Sequence, residues 1–159
     1  MMPQKILVGD GTWPFTATID GEDICVRGKN TTWFGGDNDP MDSGGTASGL
    51  ITKGHPELMG CALPMQIGPR GGSIVTFEPT HGSPLPKFPY KTTIVQVWCP
   101  STNKTIRVPV IDLGPAKWAC EQGAAIDLTQ AAFRALGLSL AQGKAQVDYR
   151  VLGGVKFVM

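Results

Sequence analysis

Glycine and proline interrupt this sequence so often that it has little room for long helices. Of its 159 residues 21 are Gly and 13 are Pro, about a fifth of the chain, above the ~12% of ordinary proteins and below the ~25–30% of low-complexity ones. Between the breaks lie short runs of β-branched and aromatic residues, the pattern of an all-β domain with many turns. The length suits a single domain with one core. Charged residues make up 17%, hydrophobic ones 42%, and the net charge is +1, which excludes a disordered chain. Without a basic excess nothing neutralises a run of phosphates, so nucleic acid is excluded as the main partner. No segment reaches the ~18–20 apolar residues of a membrane span, and the N-terminus lacks the basic and apolar regions of a signal peptide. The expectation is a chain without a membrane partner that is a mature form, works in the cytoplasm, or is exported by another route.

Residues 5–8, 14–19 and 23–27 read as strands, with a hairpin turn at Asp20-Gly21, where both residues tolerate the positive φ of a type I′ turn. A separate strand at 31–34 ends at Gly35-Gly36, and 37–49 is almost all Gly, Asp, Asn, Ser and Pro, a surface loop suited to lining a site. Residues 68–89 wander over the surface with one strand at 73–77, and 92–98 with 105–111 form a hairpin. The one good helix is 129–136, stopped by Gly137 and preceded by Asp127 and Gln130 at the spacing of a capping box. A strand at 145–152 and a last one at 155–158 complete the sheet. The fold class expected is mainly β: a small barrel with one or two short helices, in which residues 1–30 form an N-terminal hairpin extension packed on a barrel of residues 31–159. Cys25, Cys61, Cys99 and Cys120 are widely spaced and show no zinc pattern; they allow two disulfides in any of three pairings, or four buried thiols. Neither a phosphate loop nor a dinucleotide fingerprint is present, and no cofactor is expected.

Thr32-Trp33-Phe34-Gly35-Gly36 is followed by Gly44-Gly45-Thr46-Ala47-Ser48-Gly49, then by Leu63-Pro64. Val110-Ile111-Asp112-Leu113-Gly114-Pro115 comes next, and Ala125-Ile126-Asp127-Leu128-Thr129 leads into Ala131-Ala132-Phe133 and Leu136-Gly137. Taken in order, these segments span about two-thirds of the chain and resemble rare-lipoprotein-A-like and expansin-like proteins. The resemblance implies a six-stranded double-psi β-barrel, a cell-wall polysaccharide such as peptidoglycan as partner, and an extracellular or cell-envelope location. It also implies a lytic transglycosylase or glycoside hydrolase as the activity, if the chain is an enzyme. The same barrel serves non-catalytic expansin-like glycan binders and proteinaceous protease inhibitors, so both remain alternatives, the latter with a protease as partner.

The resemblance implies that Asp112 and Asp127 are the catalytic acids. Each has a structural alternative, Asp112 as an acceptor of turn N–H groups and Asp127 as a helix cap. Leu113 stands where the family carries Arg, and Leu50 where it carries Glu. Glycoside hydrolysis uses a second carboxylate at ~5–5.5 or ~6.5–9.5 Å from the first, and among Asp37, Asp39 and Asp42 the nearest match is Asp42; turn roles suit all three. Of the two histidines, His81 carries no motif, whereas His55 stands five residues before Gly60, the position of the family's histidine. Trp33 and Phe34, matching the expansin aromatic pair, and Trp118 in a loop are candidates for stacking on sugar faces. Trp98, within a strand, reads as core.

Overall fold

The computed structural model describes residues 5–7 (as backbone), 14–36, 39, 44–65 and 85–157. The strand expected at 73–77, together with Asp37, Asp42 and His81, lies outside the described residues. Among the described residues eight strands form: β1 (Lys5–Leu7), β2 (Ala17–Asp20), β3 (Asp23–Phe34), β4 (Cys61–Leu63), β5 (Ile94–Cys99), β6 (Lys104–Leu113), β7 (Ala124–Thr129) and β8 (Lys144–Val151). Two short helices, α1 (Lys117–Glu121) and α2 (Gln130–Ala135), flank β7.

Period-two patterning decides the strands. In β8, Ala145, Val147, Tyr149 and Val151 are buried while the residues between them are not, and β5 buries Val95, Val97 and Cys99 in the same way. The buried sets meet in one core with Ile126 and Leu128 of β7, Cys61 and Leu63 of β4, and Val108 and Val110 of β6. The ring closes in the order β3-β7-β4-β6-β5-β8, with β8 returning to β3, so the fold is a closed six-stranded barrel to which β2 and β1 are added at β3. The pairing is mixed: β3–β7 and β4–β6 are parallel and the other four ring contacts antiparallel. Closure leaves the ring without the free edges an open sheet would expose.

Several local expectations change. The runs 23–27 and 31–34 are one continuous strand, because Gly28 (φ +70°) absorbs a bulge between Val26 and Lys29 rather than ending the strand. Asp20 pairs with Asp23, so the hairpin loop is Gly21-Glu22. Only Gly21 takes a positive φ (+65°), which is the type II′ pattern instead of I′. Residues 154–157 form a 3-10 turn in place of a last strand. Helix α2 is capped by Thr129, whose Oγ1 accepts from Ala132 N, so Asp127 is no cap but an interior residue of β7. All four cysteines are buried thiols, and no disulfide joins them.

Candidate functional site

Asp127 lies in register with Thr32 of β3 on one side and with Ala62 of β4 on the other. Ala62 in turn pairs with Asp112 of β6. Four adjacent strands therefore present Asp112, Ala62, Asp127 and Thr32 as a row, and residues paired in register share a face. This face is the outer one, since the neighbours Ile126 and Leu128 fill the core.

A bulge puts Asp112 there. Cys61 pairs with Val110, and the next pair is Ala62 with Asp112, so Ile111 is the extra residue. Without it Ala62 would face Ile111, and Asp112 would turn with Val110 into the core. The bulged carbonyl of Ile111 accepts Ser48 N at 3.0 Å, and Gly60 leaves the space its side chain fills, since a Cβ there would sit 2.6 Å from Ile111 Cδ1. Asp112 Oδ1 accepts from Ala47 N (3.0 Å) and Leu113 N (2.9 Å), which fixes the carboxylate and ties the 44–52 loop to the barrel.

Asp127 has a different environment. Its carboxyl is pushed up from 3.8 to about 6, chiefly by burial and partly by the charges of Asp112 and Asp39, against the hydrogen bond donated by Thr32 Oγ1 to Oδ1, which pulls it down. Its other oxygen, Oδ2, faces Gly114, where an added Cβ would lie 3.5 Å away. Small Ala62 and bare Gly114 thus pack beside the Asp127 carboxyl, and burial holds its proton to nearer neutral pH. Asp112 and Asp127 are two strand spacings apart, about 10 Å between backbones.

The other expected residues scatter. Trp33 pairs with Leu128 and packs against the core, with Nε1 donating to Leu140 O at 3.0 Å, so its ring faces inward rather than toward sugar. Phe34 and His55 do come together, in a small cleft that Thr52 and Gln130 also line. His55 is exposed, with Nδ1 3.2 Å from Glu57 Oε2. Gly35-Gly36 makes the cleft floor: both take positive φ (+78° and +86°), and a Cβ on Gly36 would fall 1.9 Å from Gln130 Nε2. Asp39 accepts from Gly35 N at 2.7 Å, the turn role expected of that loop's aspartates. Trp118 is 72% exposed on α1. Trp98, expected in the core, is 38% exposed because it occupies the outward register of β5. Asp42 lies outside the described residues. Sequence reasoning missed Thr32, Ala62 and Gly114 as parts of the site; the register that joins them has no local signal. Thr129 was legible as a Thr directly before a helical run.

No family model matches the chain, and no curated protein matches it. A solved structure, the Streptomyces papain inhibitor, is similar at 22% sequence identity with a TM-score of 0.49, covering 80% of this chain and 92% of that one. The likeness carries no function to this chain. Among the described residues no group of His, Cys, Asp and Glu is arranged to hold a metal ion.

Proposed function

We propose that the chain is a double-psi β-barrel protein directed at cell-wall polysaccharide, with Asp127 as proton donor to a glycosidic oxygen. The observation that supports this is the carboxyl of Asp127, raised to about 6 and turned with Oδ2 toward the bare backbone of Gly114. An acid with a pKa near the working pH both holds and releases its proton efficiently. In this reaction the Oδ2 proton passes to the leaving oxygen as the C1–O bond breaks. The C6 hydroxyl of the same sugar then bonds to C1 and returns its proton to Asp127, leaving a 1,6-anhydro end; attack by water instead leaves a reducing end. Asp112, held by two backbone N–H groups, contributes negative charge toward the cationic sugar. The test is mass spectrometry of peptidoglycan incubated with the protein. Anhydro or reducing ends that fall ~10²–10⁴-fold with Asp127→Asn support the reading. Absence of any cleavage product overturns it, and glycan pull-down then tests the non-catalytic binder.

A second reading is favoured by the 44–52 loop. Gly45 bridges Ile51, Thr46 Oγ1 bonds Ser48 Oγ (2.8 Å) and Leu50 O (2.8 Å), and the barrel holds the loop through Ser48 N and Ala47 N. On this braced loop Ile51 is 54% exposed. A rigid loop presenting an apolar side chain is what a proteinaceous protease inhibitor offers, because preorganisation removes the cost of ordering. The reading coincides with the activity named for the Streptomyces protein without resting on it. Titration of papain-like and serine proteases tests it: inhibition abolished by Ile51→Asp supports it, and full protease activity at a large excess of the chain excludes it.

A further inference from the structure

The barrel wall opposite Asp127 carries another groove. Around the ring β5 stands across from β7, and β8 across from β4. On that wall Arg107, Gln96, Arg150 and Cys25 are in register on β6, β5, β8 and β3. Trp98 pairs with Asp148 two residues along. Arg27, Gln96, Trp98, Asp148 and Arg150 line the groove, and Arg27 also lines a shallower one with Lys29 and Thr16, so the two meet at Arg27.

These groups differ in what they have left to offer. Arg150 is committed to Asp20 (2.9 Å) and Asp23 (2.8 Å). Arg27 is 59% exposed, and its approach to Asp20, at 3.9 Å, is beyond hydrogen-bond length. The indole N–H of Trp98 is taken by Asn103 Oδ1 at 3.1 Å, which anchors a partly exposed ring. Gln96 Oε1 accepts from Arg107 Nε (3.0 Å), leaving its NH2 to donate, and Asp148 Oδ1 accepts Gly28 N (2.8 Å), leaving Oδ2 to accept. A flat apolar surface, a guanidinium fork, an amide donor and a carboxylate acceptor therefore converge on one open groove.

We infer that this groove binds saccharides that carry a carboxylate. The sugar's C–H face stacks on Trp98, its carboxylate takes the Arg27 fork, and its hydroxyls donate to Asp148 and accept from Gln96. A polyphosphate is disfavoured by the negative charge of Asp148 in the groove and of Asp20 near Arg27, and a neutral sugar leaves the fork of Arg27 unmatched. No group in this set belongs to the Asp127 row, so the site stands whether or not the other wall is catalytic.

The test is calorimetric titration of the whole protein with trigalacturonate, its methyl ester and octaglutamate. Trigalacturonate is expected to bind, the ester to bind roughly tenfold more weakly or worse, and Arg27→Gln and Trp98→Ala each to cost roughly tenfold or more, since a charge-assisted fork or the platform is lost. Trp98→Phe keeps a ring and should recover most of the affinity, and Arg134→Gln, on α2, should match the parent. Unchanged melting of each variant establishes that the fold is intact. Equal binding of acid and ester, no effect of Arg27→Gln, or no heat at millimolar ligand overturns the inference. Tighter binding of octaglutamate than of trigalacturonate overturns it in favour of an acidic peptide.

Discussion

The β7–β4 wall and the β5–β8 wall of this barrel are built alike and behave differently. Both are rows of mostly polar side chains presented outward by residues in register across four strands. On the β7–β4 wall the 44–52 loop bonds Asp112 and Gly114 packs against Asp127 Oδ2, while Ala62 between them is buried and the carboxyl of Asp127 is desolvated. On the β5–β8 wall Arg107 is exposed and Gln96 and Arg150 half-buried, with Arg150 paired to Asp20 and Asp23. Strand register thus supplies the row, and the segments packed against it decide how far its groups are desolvated.

The largest effect expected belongs to the covered wall. A carboxyl raised on folding from 3.8 to about 6 costs stability on the order of 3 kcal/mol once it is ionised. Because the folded value lies above the unfolded one, this group's contribution to stability is fully present below pH 4 and is lost as pH rises through 6. Asp127→Asn removes the titration, so its denaturation free energy should exceed the parent's at pH 8 and converge with it at pH 4. A difference that does not change with pH would show that Asp127 is not desolvated and would erase the contrast between the walls.

Thr129 comes next, since it supports the covered wall from the end of β7. Its Oγ1 accepts from Ala132 N and from Gly60 N (3.1 Å), capping α2 and holding the glycine over Ile111. Thr129→Ala should cost about 2 kcal/mol in urea denaturation, combining a lost cap with a buried N–H left unpaired, and Thr129→Ser should recover most of it. The smallest effect expected is on the open wall. Arg150→Met breaks the links to Asp20 and Asp23, yet with Arg150 a third exposed the loss should be about 1 kcal/mol, screened by solvent. It should shrink further in high salt. A loss larger than that of Thr129→Ala would mean that the open wall carries more of the fold than its exposure implies.

Legibility in the sequence followed the range of the interactions involved. The hairpin of β5 and β6, helix α2 with its stop at Gly137, and β8 were readable, because alternation, helix propensity and a glycine stop act within a few residues. The Gly28 bulge was misread as a break, since an Arg-Gly-Lys step has the same local signature whether the chain turns away or kinks and continues. Asp127 was readable as a candidate cap and is none, because two residues later Thr129 offers a hydroxyl in the geometry the helix start requires. Trp33 and Trp98 exchanged their expected places: an aromatic's face depends on whether its strand position is odd or even relative to the core, and one bulge reverses that parity.

Composition and period-two patterning are properties of neighbouring residues, so the sequence alone settled that this chain is a nearly neutral, turn-rich β-protein and that Asp112 and Asp127 each follow an apolar β-rich run. Only the tertiary structure decided that the two aspartates share a face, with Ala62 between them and Thr32 beyond. That outcome hangs on the extra residue Ile111 in β6, accommodated by Gly60 and by Ser48 N from two distant segments. A bulge shifts register by one residue, and one residue of register sends a side chain from the core to the surface, so the placement of Asp112 was settled by contacts that no local pattern encodes.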